Sequence, residues 1–135
     1  MTEGSPLEFE TVWASSTHGL SGTAATGALA AELLHSPDGK FLILSSRFDA
    51  QPSGDDTLVS FAVNADGTLG PALVAGAGGR NPRGLSLNHD GSLLAVALQA
   101  DAKVVVFERN VDSGVLGKAV GSVVTEAQPV AVIWG

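Results

Sequence analysis

Short apolar runs separated by turn residues follow one another along most of the chain. Leu93–Leu98 and Val104–Phe107 are continuous apolar runs, a pattern typical of strands buried on both faces. Asp-Gly pairs accompany such runs at positions 38–39, 66–67 and 90–91. Glycine in these pairs readily adopts the positive φ of a tight hairpin turn. The pattern therefore predicts a fold made mainly of strands joined by hairpins, with little helix.

The apolar pattern is repeated within the chain. LLHSPDGKFLILSS from Leu33 aligns with LSLNHDGSLLAVAL from Leu85 at an offset of 52 residues. DTLVSFAVNADGTLG from Asp56 aligns with AKVVVFERNVDSGVLG from Ala102 at an offset of 46 or 47, because QPSGDD lengthens a loop of the first copy. A third copy begins as QPVAVIWG. Each full copy contains four predicted strands, which in the second copy span approximately Gly84–Asn88, Leu93–Gln99, Lys103–Arg109 and Lys118–Thr125.

A four-stranded unit with a period near 50 residues is typical of a β-propeller blade. The alternative is an antiparallel sandwich of eight or nine strands, which leaves the internal homology unexplained. We predict an all-β fold, a partial β-propeller of about two four-stranded antiparallel blades plus flanking strands. Residues 1–27 are predicted to form an outer strand of a preceding blade and a Gly/Ala/Ser/Thr-rich loop. Blades are predicted over 28–83 and 84–127, and the first strand of a further blade over 128–135.

Composition and charge narrow the classes of function. The 135 residues include seven Lys and Arg and fourteen Asp and Glu, which gives a net charge of −7. Because the basic residues form no cluster, nucleic acid is not an expected partner. No apolar run approaches the ~18 residues of a membrane span, and the acidic N-terminus is unlike a signal peptide, so we expect no membrane partner. The absence of cysteine excludes disulfides and thiolate sites and suits a cytoplasmic protein. His18, His35 and His89 lack chelating spacing, so no metal is expected.

Five motifs in order carry a family resemblance: Ala-Ala-Glu, Ser-Pro-Asp-Gly, Ser-x-Arg, Gly-Gly-x-x-Pro-Arg and Asp-x-Gly. With them, residues 28–135 resemble the C-terminal blades of the seven-bladed lactonase family, with a weaker extension back to about Pro6. That family includes bacterial-type 6-phosphogluconolactonases and fungal carboxy-cis,cis-muconate cyclases. The family's fold needs further blades, one of which supplies a histidine-bearing loop to the family's proposed site. We therefore expect a C-terminal fragment that is inactive by itself.

The resemblance implies that Glu32 is the catalytic residue. In the propeller interpretation, Glu32 lies at the entry to an inner strand, where the strand end faces the central channel. A carboxylate there can act as a general acid or base if burial raises its pKa. A glutamate that caps a strand or pairs with an arginine is the alternative, and the residues leave both open.

Arg47 and Arg83 match arginines in the family's motifs and are predicted to bind substrate. Guanidinium groups from neighbouring blades can bind one carboxylate or phosphate through paired hydrogen bonds. The alternative for both arginines is a buried ion pair with Glu32 or Asp49.

Arg80 and Gln99 are two further predicted substrate-binding residues. Arg80 lies in the glycine-rich loop GAGGRNPR, whose backbone amides can bind an anion, and Gln99 follows a channel-facing strand. The resemblance implies formation or hydrolysis of a lactone of a small anionic substrate without a cofactor, by carboxymuconate cyclisation or phosphogluconolactone hydrolysis. The alternative is a non-catalytic propeller module that binds a partner or self-associates through its open blade edges.

Overall fold

The computed structural model describes residues 6–135, which form two four-stranded antiparallel sheets. The first blade has the strand order β1-β2-β3-β4, with β1 (Leu29–His35), β2 (Phe41–Arg47), β3 (Thr57–Ala62) and β4 (Leu73–Gly76). The second blade has the order β5-β6-β7-β8, with β5 (Pro82–Leu87), β6 (Leu93–Leu98), β7 (Lys103–Arg109) and β8 (Leu116–Val124). A single 3-10 turn, Gln99–Asp101, joins β6 to β7. The prediction of an all-β fold built from four-stranded antiparallel blades is confirmed.

Three of the hairpins, β1–β2, β3–β4 and β5–β6, turn at the Asp-Gly pairs. Gly39, Gly67 and Gly91 have φ values of 75°, 83° and 74°, in the left-handed region that glycine adopts without steric cost. The carboxylate of Asp90 accepts hydrogen bonds from the backbone amide of Ser92 at 2.9 Å and from its hydroxyl at 2.5 Å. These bonds satisfy polar groups that the turn leaves outside the strand ladder.

The hydrophobic core lies between the two blades. Ile43 and Leu58 of the first blade belong to one buried cluster with Leu94, Val96 and Phe107 of the second. Each such side chain contributes about 1.5–3 kcal/mol when it is fully removed from water. Face-to-face packing of the blades therefore holds β1 beside β5, the inner strand of the second blade.

The two flanking segments form no strand among the described residues. Residues 6–14, within the predicted segment 1–27, and residues 128–135 are irregular, and residues 1–5 lie outside the described part of the chain. A strand requires a ladder of backbone hydrogen bonds, and neither segment forms one with the described strands. In addition, β5 begins at Pro82, two residues before the predicted blade boundary.

No helix within residues 6–135 is long and apolar enough to cross a membrane.

Candidate functional site

The predicted site residues lie near one end of the two blades. Leu29 at the start of β1 pairs with Arg47 at the end of β2. Pro82 at the start of β5 pairs with Leu98 at the end of β6. Because β1 and β5 are in contact, these strand ends lie on the same side of the blade pair. The antiparallel order of the strands therefore gathers residues that are distant in sequence.

Both inner strands contain a β-bulge at a predicted functional residue. In β1 the register shifts over residues 30–33, which include Glu32. In β5 it shifts over residues 82–84, which include Arg83. A bulge inserts an extra residue into one strand and changes the direction of its side chain, and bulges are enriched beside active sites. The two residues thus occupy corresponding irregularities of adjacent inner strands.

Glu32 is half-buried and forms no ion pair within residues 6–135. Its backbone amide donates a 3.1 Å hydrogen bond to Oγ of Ser45. Its Oε1 accepts a 3.3 Å hydrogen bond from the amide of Leu33. The alternative in which Glu32 is paired with an arginine is therefore not what the structure shows, and the carboxylate is free of counter-ions among the described residues. Its catalytic role stays a prediction.

Arg47 and Arg83 also form no ion pair with a carboxylate of the described residues. Arg47 is half-buried, its Nε has no hydrogen-bond partner there, and its guanidinium carbon lies 5.8 Å from the ring centroid of Phe48. Arg83 is exposed. Asp49, the alternative partner, lies instead 3.3 Å from Nε2 of His18. Both guanidinium groups therefore have donors with which they can bind an anion.

Arg80, in contrast, is bound to Asp101. Its Nε and Nη2 lie 2.9 and 2.8 Å from Oδ1 of Asp101, and its backbone amide donates a 2.6 Å hydrogen bond to Oδ2. Burial opposes ionisation of Asp101, but the hydrogen bonds and charge of Arg80 outweigh it and lower the pKa of that carboxyl. Asp101 thus occupies both the guanidinium edge and the backbone amide of Arg80, and the role of Arg80 in substrate binding stays a prediction. Sequence reasoning could not find this partner, because it lies 21 residues away.

Gln99 holds the loop before β5 in place. Its Oε1 accepts a 3.2 Å hydrogen bond from Nδ2 of Asn81, and its backbone amide donates one of 2.9 Å to the carbonyl of Asn81. The amide of Asn81 in turn donates a 2.7 Å hydrogen bond to Oδ2 of Asp56 in the first blade. Asn81 therefore links the two blades at the base of the candidate site. Asn81 and Asp56 were not predicted from the sequence. The signal for Asn81 was an asparagine in a glycine-rich loop, because asparagine tolerates left-handed backbone angles. In the structure its φ is 57°.

A cavity of about 270 Å³ opens at this end of the blades. Its walls are formed by residues of both blades: Phe48, Ala50, Asp56, Arg80, Asn81 and Ala100. Within the part of the chain that the structure describes, no cluster of His, Asp and Glu is arranged to hold a metal ion. The polar side chains that line the cavity are the carboxylate of Asp56, the guanidinium of Arg80 and the amide of Asn81.

Comparison with known proteins assigns this architecture to one family. The model of the lactonase family, 7-bladed β-propeller, matches residues 3–134. A 6-phosphogluconolactonase of Formosa agariphila is 35% identical over 89 residues, which are 65% of this chain and 24% of that protein. The structure of a periplasmic gluconolactonase of Pseudomonas aeruginosa is 33% identical with a TM-score of 0.70, over 79% of this chain and 29% of that one. A protein of Lactobacillus plantarum is 30% identical with a TM-score of 0.69, over 85% and 31% of the two chains. The chain thus spans about a quarter of the length of the curated relative it matches.

Proposed function

The chain belongs to the lactonase family of seven-bladed β-propellers, and on that basis we propose that its residues form part of a site that hydrolyses the lactone of a small anionic sugar acid. Hydrolysis is favoured over carboxymuconate cyclisation because the similar proteins are a 6-phosphogluconolactonase and a gluconolactonase. The substrate class is a phosphorylated or carboxylated sugar lactone. No cofactor is part of the proposal.

The observation that carries the proposal is the pair of bulges on adjacent inner strands. One bulge presents the carboxylate of Glu32 and the other the guanidinium of Arg83, and neither group is bound to a counter-ion among the described residues. A carboxylate and a guanidinium without counter-ions are the two kinds of group that hydrolysis of an anionic ester can use. The carboxylate acts on a proton, and the guanidinium binds the negative charge.

In the proposed reaction Glu32 removes a proton from a water molecule as its oxygen attacks the lactone carbonyl. A bond forms between the water oxygen and the carbonyl carbon, and the carbonyl oxygen gains negative charge. Collapse of this intermediate breaks the ring C–O bond, and the proton held by Glu32 passes to the leaving ring oxygen. Arg47 and Arg83 stabilise the substrate anion and the charge that develops on the oxygen.

The proposal is tested first by binding, because the sequence leads us to expect little turnover by this chain alone. Isothermal titration calorimetry with 6-phosphogluconate, the hydrolysis product, measures the affinity of the full chain. Arg83→Gln should weaken binding by about tenfold or more, since a charge-assisted hydrogen bond is lost. Lys118→Gln, which removes an exposed cation from β8, should leave the affinity unchanged. Equal affinities of the two variants would contradict the assignment of Arg83.

Turnover is the second test. Hydrolysis of 6-phosphogluconolactone is followed by proton release and compared with the spontaneous rate. Glu32→Gln should retain product binding and reduce any catalysed rate by about a hundredfold or more, because general acid–base catalysis is lost. If the wild-type chain hydrolyses the lactone faster than the spontaneous rate, an equal rate for Glu32→Gln would show that Glu32 is not the proton-transfer group.

Self-association is a second candidate, supported by the outer strand of the second blade. β8 is an edge strand in which Val120, Val123 and Val124 are 48%, 59% and 78% exposed. Unpaired edges of this kind pair readily with other chains. Light scattering after size-exclusion chromatography tests this candidate. Val123→Lys should lower the mass of any oligomer, and a wild-type monomer at all concentrations would rule it out.

A further inference from the structure

We propose that Ser45 is a positioning residue for Glu32, because its buried hydroxyl accepts the backbone hydrogen bond that the β1 bulge leaves without a strand partner. The use of Glu32 in hydrolysis rests on the proposed function. The contact between the two residues rests on the geometry of the strands alone.

The register of β1 and β2 isolates this contact. Ala30 pairs with Ser46 and Leu33 pairs with Leu44, so residues 31–32 together face Ser45. A bulge of this kind leaves one residue unpaired and disrupts the ladder of backbone hydrogen bonds.

The backbone group without a partner in the strand ladder is the amide of Glu32. It donates a 3.1 Å hydrogen bond to Oγ of Ser45, whose side chain is completely buried. A part-buried amide without an acceptor is unfavourable, so this bond stabilises the bulged backbone at Glu32. The orientation of the Cα–Cβ bond of Glu32 follows from that backbone, and the side chain then folds back so that Oε1 meets the amide of Leu33 at 3.3 Å.

The second blade provides an internal comparison. At the repeat offset of 52 residues, Ala97 takes the place of Ser45 and Gly84 takes the place of Glu32. The bulge of β5 nevertheless forms at residues 82–84. A hydroxyl is therefore not required for a bulge as such. The Ser45 hydroxyl is present in the blade whose bulge carries the Glu32 carboxylate. This is the pattern expected if the hydroxyl orients the Glu32 side chain.

Two measurements on the full chain test the proposal without requiring turnover. Amide hydrogen exchange of Glu32 reports the hydrogen bond, and the Cδ chemical shift of Glu32 reports the surroundings of its carboxyl group. Ser45→Ala should accelerate exchange of the Glu32 amide by about tenfold or more and change the Cδ chemical shift, because both depend on the bulged backbone. Ser45→Thr keeps a hydroxyl and should restore both.

Ser60→Ala is the matched control, since Ser60 is a buried serine of β3 whose hydroxyl has no partner among the described residues. It should change neither reading. The proposal is overturned if Ser45→Ala leaves exchange of the Glu32 amide unchanged. It is also overturned if Ser60→Ala has an equal effect, or if Ser45→Thr exchanges as fast as Ser45→Ala. Failure of the proposed function has a different signature, in which Arg83→Gln and Lys118→Gln bind 6-phosphogluconate equally well while the Ser45 variants still alter the Glu32 amide as expected.

Discussion

The hydroxyl of Thr57 donates a 2.6 Å hydrogen bond to the carboxylate of Asp49, and both side chains are almost completely buried. The same carboxylate accepts a 2.7 Å hydrogen bond from the amide of Ala25 and lies 3.3 Å from Nε2 of His18. Asp49 therefore ties the segment before β1 to the loop between β2 and β3. Arg47, two residues away, forms no ion pair with this carboxylate among the described residues.

Asp49→Asn should lower the free energy of unfolding by about 1.5–3 kcal/mol, because an amide group replaces one acceptor oxygen and leaves a buried donor unpaired. Urea denaturation followed by circular dichroism measures the change. Asp112→Asn is the control, since Asp112 is exposed and accepts no hydrogen bond from the described residues, and its effect should stay within about 0.5 kcal/mol. Equal effects of the two variants would show that the Asp49 contacts do not stabilise the fold.

The pH dependence of stability should also depend on Asp49. Burial alone would raise its pKa, but hydrogen bonds from the Ala25 amide and the Thr57 hydroxyl lower the pKa below the ordinary value of 3.8. A carboxyl whose pKa is lower in the folded state stabilises the fold above the unfolded-state pKa, and this stabilisation is lost as the pH falls through the folded-state value. The wild type should therefore lose more free energy of unfolding than Asp49→Asn when the pH is lowered from about 5 to below 3. Parallel pH profiles of the two proteins would contradict this assignment.

The repeat and its turns were enough to predict the four strands of each blade, but the strands predicted in the two flanking segments are absent from the described residues. The predicted Lys103–Arg109 coincides with β7, and the predicted Leu93–Gln99 exceeds β6 by one residue. Such strands are determined by local alternation of apolar runs and Asp-Gly turns, which a single sequence shows directly. The irregular flanking segments could not be predicted in this way, since a strand also depends on a neighbour.

The side-chain partners at the site depend on contacts between distant residues and were harder to predict. The salt bridge from Arg80 to Asp101 spans 21 residues, and the hydrogen bond from the amide of Ala25 to Asp49 spans 24. The bulge at Glu32 depends on the register between two strands, which the pattern of either strand alone does not determine. Sequence therefore indicated which residue types could carry chemistry, and only the structure showed which of them are already bound to other groups.

Ala102→Gly should stabilise the protein. Ala102 has φ 46° and ψ 50°, left-handed values that cost a residue with a Cβ about 1–2 kcal/mol. Glycine removes that cost but has an entropic cost of folding about 0.5–1 kcal/mol higher, so we expect a net gain of up to about 1.5 kcal/mol in the free energy of unfolding. Ala100→Gly, in the preceding 3-10 turn, has only the entropic cost and should destabilise the protein. Urea denaturation distinguishes the signs, and a loss of stability in both variants would show that Ala102 is not strained.

Gly84→Ala should displace the C-terminal segment from β5. A Cβ at Gly84 would lie 2.8 Å from Cα of Ala131 and 2.8 Å from the carbonyl oxygen of Val130. Both are backbone atoms, which cannot move aside as the end of a flexible side chain can. Residues 130–134 must therefore shift, and the 3.0 Å hydrogen bond from Nε1 of Trp134 to the carbonyl of Ser86 should be lost.

Fluorescence measures this displacement once Trp13→Phe has removed the other tryptophan. In that background, Gly84→Ala should shift the emission of Trp134 to longer wavelength and increase its quenching by acrylamide, because the indole becomes more exposed to water. Gly121→Ala is the matched control, since a Cβ at Gly121 meets no atom within 4 Å. If Gly84→Ala and Gly121→Ala give the same emission as their parent, then the C-terminal segment does not lie against β5 in solution.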